Sequence, residues 1–237
     1  MTTILFLTFV AVMAAIVVGV SARYLTGRTA SICTSGLFAW LIYVGLISYF
    51  GVVRNATMRP PGVAFLFLPI IVFFVILIAR TKSPAMERFA LAFPLWLILA
   101  IQTFRVGVEL FLHQLWIAGL LPRMLTFAGA NVDIYVGATA PIAAWLATRG
   151  RSGLKIVLAW NVLGILALAN IVTRAVLTAP GPLNLIHTGV PNRMIGTFPF
   201  TFVPGFFVPL ALLLHILALR SAFSRLHANE PAIEARK

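Results

Sequence analysis

Residues 92–118 read AFPLWLILAIQTFRVGVELFLHQLWIA. A span needs about 20 mostly apolar residues to cross the hydrocarbon core of a bilayer, and this run exceeds that. Trp96 and Trp116 stand 20 residues apart, roughly 30 Å along a helix, which matches two aromatic belts at opposite interfaces. The centre of the same run carries Gln102, Arg105, Glu109 and His113. At 100° per residue these fall within roughly an 80° arc of one helix face. Charges exposed to lipid are expensive, so this face must look into protein or a water-filled cavity. The stretch therefore predicts a membrane helix whose polar side is buried among other helices.

The rest of the chain agrees. Hydrophobic residues make up 61% of its 237 residues and charged residues only 10%, with a mean hydropathy of +1.04. A water-soluble domain of this length has too much surface to cover with so few polar side chains. Long apolar runs predict seven spans: Thr3–Ser21, Ser31–Val52, Gly62–Ala79, Ala92–Ala118, Val132–Thr148, Leu154–Leu177 and Phe198–Leu219. The expected fold is an all-α polytopic membrane helix bundle forming a single domain over residues 1–237. A short polar cytoplasmic tail is expected over residues 221–237. Residues 1–22 read as the first span rather than a cleaved signal, because no basic residue precedes the apolar run.

The formal net charge of +13 would suggest a nucleic-acid partner in a soluble chain. Here the basic residues occupy short loops, so no nucleic-acid partner is expected and the lipid bilayer is the expected environment. Alternate loops carry 12 Lys and Arg on one side and 4 on the other, with Arg105 and Arg174 inside spans. Basic residues collect on the cytoplasmic side, which predicts the N-terminus outside and the C-terminus in the cytoplasm. Cys33, the single cysteine, reads as a small packing residue.

Glu109 stands four residues from both Arg105 and His113, the spacing at which helical side chains pair. An intrahelical Arg105–Glu109 ion pair is thus expected, either as a structural lock or as part of a pocket. Arg174 shares a face with Asn170 near the end of the sixth span and either snorkels to the interface or faces Glu109 or an anionic ligand. Asn161, on the opposite face, reads as a helix–helix contact. Pro204 and Pro209 should break the seventh span, and freed backbone in a membrane often lines a cavity. Asn131 and Asp133 suit the cap and first turn of the fifth span. The candidate pocket therefore comprises Arg105, Glu109, His113, Asn170, Arg174, Pro204 and Gly205, with Asp133, Asn131 and His187 at its outer rim.

No cofactor or metal is expected. His113 falls in the outer half of its span and His215 in the inner half of the other, which suits haem ligation poorly. His113 and His187 lack a zinc spacing. The lysines Lys82, Lys155 and Lys237 lie in loops or at span ends, which excludes a retinal Schiff base.

Three groups of residues carry a family resemblance: Gln102-Thr103-Phe104-Arg105 with Glu109; Met124-Leu125-Thr126-Phe127 with Asn131 and Asp133; and Pro191-Asn192 followed by Phe198-Pro199-Phe200. On these the chain resembles a group of uncharacterised bacterial multi-pass inner-membrane proteins. The resemblance implies a location, the bacterial inner membrane, and no activity. Three functions stay open. One is binding or transport of a small, anionic solute in an outward-facing pocket. The second is a membrane-embedded enzyme using Glu109 and His113 as an acid–base pair, which no catalytic motif supports. The third is a subunit of a membrane complex whose ligand is another membrane protein.

The orientation makes a direct prediction. With Cys33 replaced, single cysteines at Thr57 and Thr188 should react with an impermeant thiol reagent in intact cells, and cysteines at Ser83 and Ser152 should not. The reverse labelling pattern would overturn the topology.

Overall fold

The computed structural model describes residues 2–181 and 183–228, and these form helices with no strand among them. In chain order the helices are α1 (Thr2–Tyr24), α2 (Gly27–Tyr49), α3 (Val63–Ala79), α4 (Pro84–Leu91), α5 (Leu95–Ile101), α6 (Phe104–Ile117), α7 (Asp133–Leu146), α8 (Gly150–Thr178) and α9 (Val208–Ala228). A π-helical turn, Val203–Phe207, leads into α9. Among the described residues, five segments are long and apolar enough to cross a membrane, and a sixth is added if α3 and α4, bent by 103°, count as one. Large apolar side chains on the outer surface, such as Ile42, Ile76, Leu163 and Leu166, are more than half exposed, as expected of a lipid-facing belt. This is a membrane helix bundle.

Two of the seven expected spans are short. α3 has 17 residues and α7 has 14, the latter roughly 21 Å against a core of about 30 Å. Gly137 explains where α7 sits: a Cβ there would lie 2.8 Å from the Val106 nitrogen and 3.1 Å from Arg105 Cβ. Only glycine lets the two helices approach so closely, and it sets the middle of α5–α6 beside the first turns of α7. The chain before α7 is irregular, yet Leu121, Leu125, Thr126 and Asn131 are buried. Irregular backbone at membrane depth survives where protein surrounds it.

The fourth span is not one continuous helix. Gln102 and Thr103 interrupt it, with Gln102 N–H donating to Leu99 O and Thr103 N–H to Ala100 O, both at 3.1 Å. These three-residue bonds tighten the turn immediately before Arg105.

α2 is mostly lipid-facing, and it satisfies backbone that prolines release elsewhere. Pro69 cannot donate to the Phe65 carbonyl, and Pro209 cannot donate to that of Gly205. Tyr43 Oη–H donates to Phe65 O at 2.7 Å, and Trp40 Nε1–H donates to Gly205 O at 2.6 Å. Ser48 adds a bond to Thr201 Oγ1 at 2.8 Å. Three polar contacts thus tie α2 to α3 and to the broken entry of α9.

α1 joins through aromatic packing. Phe6 is fully buried against Phe111 at 5.2 Å and Phe200 at 5.0 Å between ring centroids. Residue 221, where the polar tail is expected to begin, is still helical. α9 continues to Ala228 with Ser221, Ala222 and Leu226 buried, because Arg220 reaches back to Glu87 of α4 at 2.8 Å. Residues 229–237 of that tail lie outside the described residues.

A buried polar network and its candidate functional site

Arg105 leaves the first turn of α6 and is only 2% exposed. Its guanidinium grips Asp133 with two bonds: Nε donates to Oδ2 at 2.9 Å, and Nη2 meets Oδ1. Nη1 reaches His215 Nε2 at 2.7 Å. Arginine only donates, so His215 Nε2 accepts and the ring proton sits on Nδ1. That proton is donated to Asn161 Oδ1 at 2.8 Å, and Asn161 Nδ2 donates to Val157 O at 2.8 Å. One cation thereby links α6, α7, α9 and α8. The imidazole fits because residue 164 is glycine; a Cβ there would lie 2.3 Å from His215 Cε1.

The expected Arg105–Glu109 pair is therefore not formed. Asp133 takes the guanidinium because the start of α7 faces it squarely, offering both carboxylate oxygens to a planar fork. Glu109 instead receives Asn131 Nδ2 on Oε1. Asn131 Oδ1 accepts the Asp133 N–H at 3.0 Å, so one amide spaces the two acids. Among the described residues no cation forms an ion pair with Glu109. The Phe127 amide stands close by, but Glu109 Oε2 is buried with no partner in hydrogen-bonding geometry. His113, one turn along the same face, stacks on Phe127 at 4.3 Å and leans on Trp116 at 5.0 Å. Its Nδ1 is also buried without a partner.

The remaining candidates separate. Arg174 Nε donates to Asn170 Oδ1 at 2.8 Å, and Asn170 Nδ2 donates to Ala130 O at 3.0 Å. Arg174 thus stops one residue short of Asn131 and makes no contact with Glu109. Pro204 lies half-buried in the π-helical turn, and Gly205 faces α2 and α3, where a Cβ on it would lie 2.8 Å from Val44 Cγ1; the freed carbonyl is bound by Trp40 rather than lining a cavity. His187 is exposed on the loop after α8. Asp133 and Asn131, expected at the rim, lie at the centre. Gln102 is buried beside them and donates to Ala211 O at 3.2 Å.

His215 and Asn161 are the members that sequence reasoning placed elsewhere. Counting the last span from Phe198 to Leu219 puts His215 in the inner half. The helical segment runs from Val203 to Ala228, which centres it on His215, level with Arg105 in the middle of its own span.

A cavity of about 410 Å³ opens at the Trp116 end of α6, lined by Trp116, Leu121, Arg123, Met124, Thr188 and Val190 among others. Trp116 forms both its wall and the contact to His113. Among the described residues no three His, Cys, Asp or Glu side chains converge as metal ligands.

Residues 60–223 match the family model described as Domain of unknown function (DUF8737). The chain belongs to this family. The matched region holds every member of the polar network and leaves α1 and α2 outside it. No curated protein and no solved structure matches the chain.

The network predicts a specific pattern of coupling. Arg105→Ala and Asp133→Ala should each destabilise the protein in detergent by about 3–5 kcal/mol, since each strands a buried charge. The double variant should recover part of that loss. The matching cycle between Arg105 and Glu109 should show clearly weaker coupling, and stronger coupling there than to Asp133 would refute the assignment.

Proposed function

We propose that this is a seven-span protein of the bacterial inner membrane, N-terminus outside, that binds or transports a small solute reaching Glu109 from the outer face. The loop charge count supports the orientation. Seven crossings follow if α3 crosses with its short flanks and if the partly buried segment 118–132 completes the crossing that α7 makes only in part. Interrupted segments that bring a helix start to mid-depth are a recurrent way of building transporter sites.

The observation that carries the reading is that, of six buried side-chain atoms without a partner among the described residues, two, Glu109 Oε2 and His113 Nδ1, lie one turn apart on α6, toward the cavity at Trp116. Buried polar atoms are ordinarily bonded, and the exceptions call for a reason. All three Arg105 nitrogens are engaged within the protein, so Arg105 is a poor receptor for an anion. Glu109 is an acid without a cation, which favours a positively charged or proton-donating solute over the anionic one the sequence suggests. His113 would hand the solute from the cavity to Glu109, with Phe127 and Trp116 guarding the way.

Thermal unfolding in detergent with ammonium, small amines, alkali-metal ions, phosphate and short carboxylates tests this. A cationic member should raise Tm by roughly 5–10 °C at a hundredfold excess over its Kd. Glu109→Gln should keep the fold and lose the shift. No response to any member, or an undiminished response in Glu109→Gln, would refute the proposal.

A further inference from the structure

A second concavity lies on the lipid-facing side. A groove of about 450 Å³ runs between α7 and α8, walled by Tyr135, Val136, Thr139, Trp160, Leu163 and Ala167, with Asn170 at one end. Its polar atoms are already used. Trp160 Nε1 donates to Thr139 Oγ1 at 2.9 Å, and Thr139 Oγ1 donates to Tyr135 O at 2.7 Å. What the groove offers an occupant is hydrocarbon. Its rims are open: Tyr135 is 67% exposed and Leu163 63%.

The length of the groove and the charge at its end point to one class of occupant. From Trp160 to Asn170 is roughly 15 Å along α8, half of a hydrocarbon core of about 30 Å, which is the depth of one leaflet. One turn beyond Asn170 stands Arg174, half-buried and held through Nε by Asn170 Oδ1. Its terminal nitrogens make no hydrogen bond to protein among the described residues. Arg174 lies ten residues from Gly164, the level at which α8 meets His215, so it stands roughly 15 Å from the centre of the bundle, where headgroups begin. A guanidinium presents a planar fork suited to phosphate oxygens. An apolar molecule alone would leave this cation without a counter-ion, and free phosphate would leave the groove empty.

We propose that the α7–α8 groove holds one acyl chain of an anionic phospholipid whose phosphate is bound by Arg174, with Asn170 positioning the guanidinium. The lipid covers the exposed side of α7, which has 14 residues against the 29 of α8. This site is independent of Glu109, so it stands or falls separately from the solute reading.

Native mass spectrometry of the full chain tests it, with palmitoyl-oleoyl-phosphatidylglycerol, the matching diacylglycerol and inorganic phosphate as probes. The wild type should retain one phosphatidylglycerol at collision energies that strip the diacylglycerol. Arg174→Gln and the groove-filling Ala167→Phe should each lower retention at least about tenfold, as loss of a charge-assisted contact implies. If Ala167→Phe does not fold, Leu163→Trp, at an exposed wall position, fills the same groove. Equal retention by wild type and both classes of variant would show only a lipid annulus and overturn the proposal. Equal retention of diacylglycerol would remove the role of Arg174, and binding of inorganic phosphate in place of lipid would remove that of the groove.

Discussion

A guanidinium near the middle of an apolar helix must find an anion and acceptors inside the protein, and Arg105 imposes that requirement on four helices at once. Asp133 meets it at the start of α7, His215 in the centre of α9, and Asn161 fixes the histidine from α8. The architecture follows from that demand. α7 must begin at mid-depth for Asp133 to face Arg105, so the preceding chain must run irregularly within the bundle. Gly137 and Gly164 are the places where backbone gives way to let these groups meet.

The same rule governs the periphery. Hydrocarbon offers no hydrogen bonds, so carbonyls that prolines release need partners from within. α2 supplies them through Tyr43 and Trp40. Six buried side-chain atoms among the described residues still lack a partner, and those of Glu109 and His113 are the two that lie one turn apart on α6. They lie on the side of the network toward the cavity at Trp116.

Much of this was legible in the sequence. Apolar run length gives the helices, and the 80° arc of Gln102, Arg105, Glu109 and His113 marks the buried face. Local spacing misled where the partner is distant in sequence: Glu109 lies four residues from Arg105, yet Asp133, 28 residues away, takes the cation because it can present both oxygens. Apolar composition ends near Leu219 and so sets the centre of the last span too early, whereas α9 continues to Ala228 by packing against α4. A half-length helix such as α7 leaves no compositional mark, since the irregular chain before it is also apolar. The pairing of Tyr43 and Trp40 with the carbonyls that Pro69 and Pro209, respectively, release follows from three-dimensional contact alone.

The whole network depends on what Arg105 touches, and magic-angle-spinning NMR of the protein in bilayers reads that directly. With nitrogen-15 and carbon-13 labels, the Arg105 guanidinium should correlate through space with the Asp133 carboxylate carbon and with His215 Nε2. The His215 shifts should report a ring protonated at Nδ1 and bare at Nε2. Correlation of Arg105 with the Glu109 carboxylate instead, or a His215 ring protonated at Nε2, would contradict the network from which the rest is derived.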